Sequence, residues 1–146
     1  MIRFVCIVLV IGLLAGSGWA QSCSSATTRG YYALVCTGSV SPAPNMPQVN
    51  FSAIGTVKID YNGNATGTAK ASIAGLIVDQ VVTGVAVVNS DCTGTVVYDQ
   101  KLNGQPAGKL NIVYHVLSDG QEIRGMSIDP GYTMVCNLRL ISRMLP

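Results

Sequence analysis

The chain has 146 residues, 49% of them hydrophobic and only 11% charged, with nine Lys or Arg against seven Asp or Glu. That near-neutral balance excludes the basic footprint of a nucleic-acid or anionic-membrane binder. The length suits one domain with an apolar core of its own.

The chain opens with Arg3, an apolar run from Phe4 to Leu14 and a small-residue tail ending Ser17-Gly18-Trp19-Ala20. This is the pattern of a cleavable secretory signal over residues 1–20, with Gly18 and Ala20 at the small-residue subsites of signal peptidase. Its apolar part is too short for a membrane span. A single domain, residues 21–146, is then expected in a secreted or periplasmic location, with no membrane span in the mature chain. Ala20-Gln21-Ser22-Cys23 lacks the leucine that normally sits three residues before a lipidated cysteine, so a lipoprotein is the weaker reading.

From Arg29 onward, Val-, Ile- and Thr-rich stretches alternate with the turn signals Asn62-Gly63, Ser90-Asp91, Asn103-Gly104, Asp119-Gly120 and Pro130-Gly131. They predict strands over 29–40, 50–60, 64–73, 76–89, 92–100, 108–118, 121–129 and 132–142. Residues 41–47, with prolines at 42, 44 and 47, can only be a loop. No helical stripe interrupts the pattern, so the expected fold is all-β: an eight-stranded antiparallel up-and-down β-barrel following a cleaved signal peptide. Closure removes the edges that such valine-rich strands would otherwise expose.

Four cysteines follow the signal, Cys23, Cys36, Cys92 and Cys136. An even number in an exported chain reads as two disulfides. None forms a Cys-x-x-Cys and the only histidine is His115, so a zinc site fails on ligand count, and neither metal nor other cofactor is expected. Three pairings are possible. If the barrel closes, the first strand runs antiparallel to the last; Cys36 then meets Cys136, leaving Cys23 for Cys92.

A two-residue turn at Asp119-Gly120 opposes Leu117 to Glu122, Val116 to Ile123 and His115 to Arg124. One face then holds Leu110, Ile112, Tyr114, Val116 and Ile123, and the other His115, Glu122 and Arg124. The same treatment of Ser90-Asp91 groups Val81, Val85, Val87, Val96 and Tyr98, with Ala86, Val88, Thr95 and Val97 behind them. Both of those faces are apolar or neutral, so part of the outer surface is expected to be covered, most simply by a second subunit in a homo-oligomer.

Cys23-Ser24 ahead of Arg29-Gly30-Tyr31-Tyr32, Ala53-Ile54-Gly55-Thr56-Val57 with Asp60-Tyr61-Asn62-Gly63-Asn64, Asn89-Ser90-Asp91-Cys92-Thr93-Gly94-Thr95, and Glu122-Ile123-Arg124 with Asp129-Pro130-Gly131 together resemble a group of small exported bacterial proteins of unknown function. The resemblance implies the eight-stranded barrel of allene oxide cyclase-like and lipocalin-like (calycin) proteins. Within that pattern the cysteines matching Cys23 and Cys92 are the usual ones and those matching Cys36 and Cys136 are additions, in agreement with the pairing above. No catalytic residue of the allene oxide cyclases matches a position here.

His115 beside Glu122 is the one candidate acid–base pair, weighed against a cross-strand patch on the outer face that contributes little. Ser118 and Ser127 sit in ordinary strand contexts without a nucleophile elbow. Tyr98 and Tyr114, on inward faces, are the candidate ligand-binding residues, weighed against plain core packing. The absence of tryptophan after Trp19 argues against biotin and many sugars. The expected function is a binding module for a small hydrophobic ligand rather than an enzyme. A filled barrel acting through its outer face is the alternative, and a cyclase or isomerase at the barrel mouth comes third.

Overall fold

The computed structural model describes residues 22–43 and 45–143; the expected signal segment lies outside the described residues. A single turn of helix, α1 (Ser25–Thr28), leads into eight antiparallel strands: β1 (Gly30–Val40), β2 (Val49–Ile59), β3 (Asn64–Ile73), β4 (Leu76–Val88), β5 (Thr93–Leu102), β6 (Gln105–Leu117), β7 (Glu122–Ser127) and β8 (Val135–Ser142). Each strand pairs with the next and β8 returns to β1, so the sheet is a closed up-and-down barrel.

The β6–β7 register is the expected one, with Leu117 opposite Glu122 and His115 opposite Arg124. Asp119 and Gly120 both take positive φ, as a tight hairpin requires. The expected faces of β4 and β5 are corrected. Val85 pairs with Val97, Ala86 with Val96 and Gly84 with Tyr98, so Ala86, Val96 and Tyr98 point inward while Val81, Val85, Val87 and Val97 point outward. The cause is the turn. Asn89 hydrogen-bonds to Thr93, and Cys92 adopts φ 68°, which makes a three-residue loop and slips the ladder by one residue.

Two expected boundaries also change. β5 and β6 run on to a tight turn at Asn103-Gly104, where both residues have positive φ, and a bulge between Asp99 and Lys101 absorbs the irregularity near Pro106 and Gly108. β7 ends and β8 begins earlier and later than expected, because residues 128–134 leave the ladder. There the Asp129 carboxylate accepts the Asn111 backbone N–H at 2.7 Å, the Asn111 side-chain amide at 2.5 Å and the Ser127 hydroxyl at 3.1 Å.

The two ends differ. At one, α1 and the 22–29 segment lie across the barrel, tied by the Cys23–Cys92 disulfide with Cα atoms 4.9 Å apart. The Tyr32 hydroxyl, fully buried, donates to a position shared by the carbonyls of Thr28 (2.8 Å) and Gly120 (3.1 Å). The Arg143 guanidinium donates to the carbonyls of Thr27, Arg29 and Asp119. Gly120 must be glycine: it has φ 75°, and a Cβ there would lie 2.0 Å from the Thr27 carbonyl oxygen. The other end carries the β1–β2, β3–β4, β5–β6 and β7–β8 loops, with Phe51 and Met134 buried beneath them.

Candidate functional site

Alternation sends every second side chain into the lumen. From β1, β2, β6 and β8 these are mostly large: Tyr32, Leu34, Phe51, Val57, Ile112 and Leu138. β3 is different. Its inward positions are Ala65, Gly67, Ala69 and Ala71 before Ile73, so one wall of the barrel carries nothing larger than a methyl group over most of its length. The lumen therefore does not fill, and a cavity of about 70 Å³ remains.

Ala69, Ala86, Val57, Val96, Ile112 and Leu138 are among the apolar residues lining it, and the Cys36–Cys136 disulfide lines it too. Cys36 and Cys136 face each other directly in the β1–β8 register, with Cα atoms 4.1 Å apart, so this cross-link stitches the seam that closes the barrel. Two disulfides suit an oxidising compartment.

Tyr98 and Tyr114 both line the cavity. The Tyr114 ring lies flat against Gly94, where a Cβ would come within 2.3 Å of its Cζ, and its hydroxyl donates to the Val87 carbonyl at 2.9 Å. Burial pushes its pKa up to about 12, with Tyr32 adding to the shift. Burial likewise raises the Tyr98 pKa well above the usual phenol range, reinforced by Tyr114. The reading from sequence missed Gln80. It sits on the inward face of β4, 7% exposed, and lines the cavity. A signal for it was present: Val78, Gln80 and Val82 alternate inward, and glutamine is the polar exception in that apolar series.

His115 and Glu122 do not form an acid–base pair. Both lie on the outer face, where the Glu122 carboxylate accepts from Arg124 Nε at 2.7 Å. That hydrogen bond, helped by the charges of Arg124 and Arg139 and by Asn137, holds the Glu122 carboxyl below its usual range. Ser118 is an exposed turn residue, and the buried Ser127 is engaged by Asp129. Among the described residues no three His, Cys, Asp or Glu side chains converge as a metal site would need, and no helix is long and apolar enough to cross a membrane.

Fold and site thus define the class: an eight-stranded up-and-down barrel, cross-linked inside and at one end, around a small and mostly apolar cavity whose lining includes Gln80, Tyr98 and Tyr114. Comparison with family models, with curated proteins and with solved structures gives no match.

Proposed function

We propose that the chain is an exported binding module of calycin-like architecture that holds one small hydrophobic molecule in the barrel lumen. The unfilled space against the Ala65, Gly67, Ala69 and Ala71 wall carries this reading. An eight-stranded barrel either fills itself with side chains or holds one small ligand, and the small inward residues of β3 support the second. The residues lining the cavity include no carboxylate and no histidine, so the reading is of binding and not of acid–base catalysis. The volume is about half that of an engineered cavity that takes benzene, which sets the ligand's size.

Xenon tests the cavity directly. Under a few atmospheres of the gas, saturable shifts in the methyl spectrum are expected at Val57, Val96 and Ile112 and not at the outward Val85 and Val97. No shift, or shifts spread over the surface, overturns the reading.

A second reading, self-association through the outer face, rests on an uncharged belt: Val85 beside Val97, then Val87, Thr95, Val113, Met126 and Val135 in successive register. Val85 is 53% and Val87 56% exposed. Such a patch on one barrel meets its copy without like-charge repulsion. Sedimentation of the wild type beside Val97→Asp decides it; a monomer in both sinks this reading and leaves the first intact.

A further inference from the structure

We propose that the end of the barrel opposite α1 docks on a lipid bilayer whose headgroups carry no net charge, entering it shallowly by the apolar side chains of its rim. This goes beyond lumen binding and stands on a different set of residues.

The two ends are built from opposite residue types. At the α1 end the three hairpin loops, residues 60–63, 89–92 and 118–121, carry one aspartate each: Asp60, Asp91 and Asp119. The four loops at the other end, residues 41–48, 74–75, 103–104 and 128–134, hold a single charged residue, Asp129, and its carboxylate is taken up by Asn111 and Ser127. In place of charge this rim shows Met46, Leu76, Ile77 and Ile128, each more than half exposed. Hydrogen bonds hold the loops side by side around the mouth. The Ala74 N–H donates to the Asn50 carbonyl (3.0 Å), the Asn103 N–H to the Asp79 carbonyl (2.7 Å), the Ser41 N–H to the Gly131 carbonyl (2.9 Å) and the Ile128 N–H to the Asn111 carbonyl (3.0 Å).

Apolar side chains gathered at one exposed end mark a contact with protein or membrane. Three features favour the membrane. The rim loops contain no Lys or Arg, so they offer nothing to an anionic headgroup, while the aspartates of the far end stay in water. The turns at 74–75 and 103–104 are exposed and lie outside the ladder. A dry protein interface would strip water from their backbone carbonyls, whereas the headgroup zone keeps it. Depth is limited as well. The ion pairs Lys70–Asp79 and Lys109–Asp99 face outward three ladder steps below those turns, at most about 10 Å at 3.3 Å per residue, which matches the depth of an interfacial contact and forbids a deeper one. The rim is also continuous with the lumen, because Phe51 and Met134, buried beneath its loops, line the cavity.

The exported, disulfide-intact protein is sedimented with sucrose-loaded phosphatidylcholine vesicles. Binding is expected, unchanged when part of the lipid is phosphatidylglycerol and insensitive to salt. Leu76→Ser and Ile128→Ser should each weaken it about tenfold, the scale of a few methylene groups left in water, and leave Tm unchanged because both side chains are exposed. With a spin-labelled lipid, broadening in ¹⁵N–¹H spectra is expected at residues 74–77, 103–107 and 128–131 and not at Asp91, Asp119 or Val97. Failure to bind phosphatidylcholine, binding that requires phosphatidylglycerol and fades with salt, broadening centred elsewhere, or binding that survives in the double variant each overturns the proposal. Self-association without lipid that the same two substitutions abolish gives the rim to a second copy and overturns it too. Xenon reads the lumen separately: a xenon response without vesicle binding removes the docking and leaves lumen binding standing, and vesicle binding without a xenon response does the reverse.

Discussion

Replacing Tyr32 by Phe removes one oxygen from the most enclosed large side chain in the barrel and tests how the helix-covered end is held. The hydroxyl reaches the Thr28 carbonyl at 2.8 Å and the Gly120 carbonyl at 3.1 Å, joining α1 to the β6–β7 turn across the first residues of β1. Without it two buried carbonyls lose their shared donor, which costs about 2 kcal/mol. For a barrel of about 120 residues, at about 2.1 cal/mol/K of unfolding entropy per residue, Tm falls by about 8 °C.

The same burial gives a signature in pH. Desolvation, opposed only in part by the Arg143 charge, pushes the Tyr32 pKa from 10.0 to about 12. The folded pKa is raised above the unfolded one, so the contribution is fully present below pH 10 and is lost as the pH climbs through 12. Two units correspond to about 2.7 kcal/mol, which the wild type loses over that window and Tyr32→Phe does not. Tyr98 weakens both proteins alike and cancels in the difference, and Tyr114 cancels apart from the smaller part of its shift that Tyr32 supplies, which Tyr32→Phe removes. Urea midpoints followed by circular dichroism at pH 8, 10.5 and 11.5 should show a gap of about 2 kcal/mol that closes toward zero. A gap that stays constant across that range would mean the hydroxyl is not held as a buried phenol, and would refute the account of this end.

Replacing Cys36 and Cys136 together by Ala removes a cross-link spanning 100 residues, and a loss of about 4 kcal/mol in calorimetry is expected, with the far-UV spectrum of the barrel kept below the lowered Tm because the β1–β8 ladder continues on both sides of the bridge. Gly94→Ala places a methyl on the Tyr114 ring and should cost about 1–3 kcal/mol; in a Tyr114→Leu background most of that cost should vanish, and a double-mutant cycle showing simple additivity would contradict the stacking.

The fold was legible because turn chemistry is local. At Asp119-Gly120 both residues take positive φ and the loop has the length the turn signal implies, so the register followed from two residues. At Ser90-Asp91 the same logic failed by one position. Cys92 takes the left-handed conformation that a sequence reading reserves for Gly or Asn, and it does so where a disulfide ties it to Cys23, 69 residues away. That single slip exchanged the inner and outer faces of β4, which hid the outward position of Val85 and Val87. Gln80 was missed for the same reason: with the faces of β4 exchanged, its inward position beside Val78 and Val82 was read as outward.

The distribution of volume argues that the cavity is built rather than residual. This chain has valines to spare, and it places Val85, Val87 and Val97 on the outside while β3 presents Ala65, Gly67, Ala69 and Ala71 inward. Exchanging inward alanines for valines would be ordinary core packing for a strand. At about 24 cal/mol per Å³, leaving 70 Å³ unfilled costs about 1.7 kcal/mol. That is less than half of what either cross-link contributes through loops of 69 and 100 residues. A barrel with one disulfide at its covered end and another along its closing seam can therefore keep a hole in its core and still stay folded.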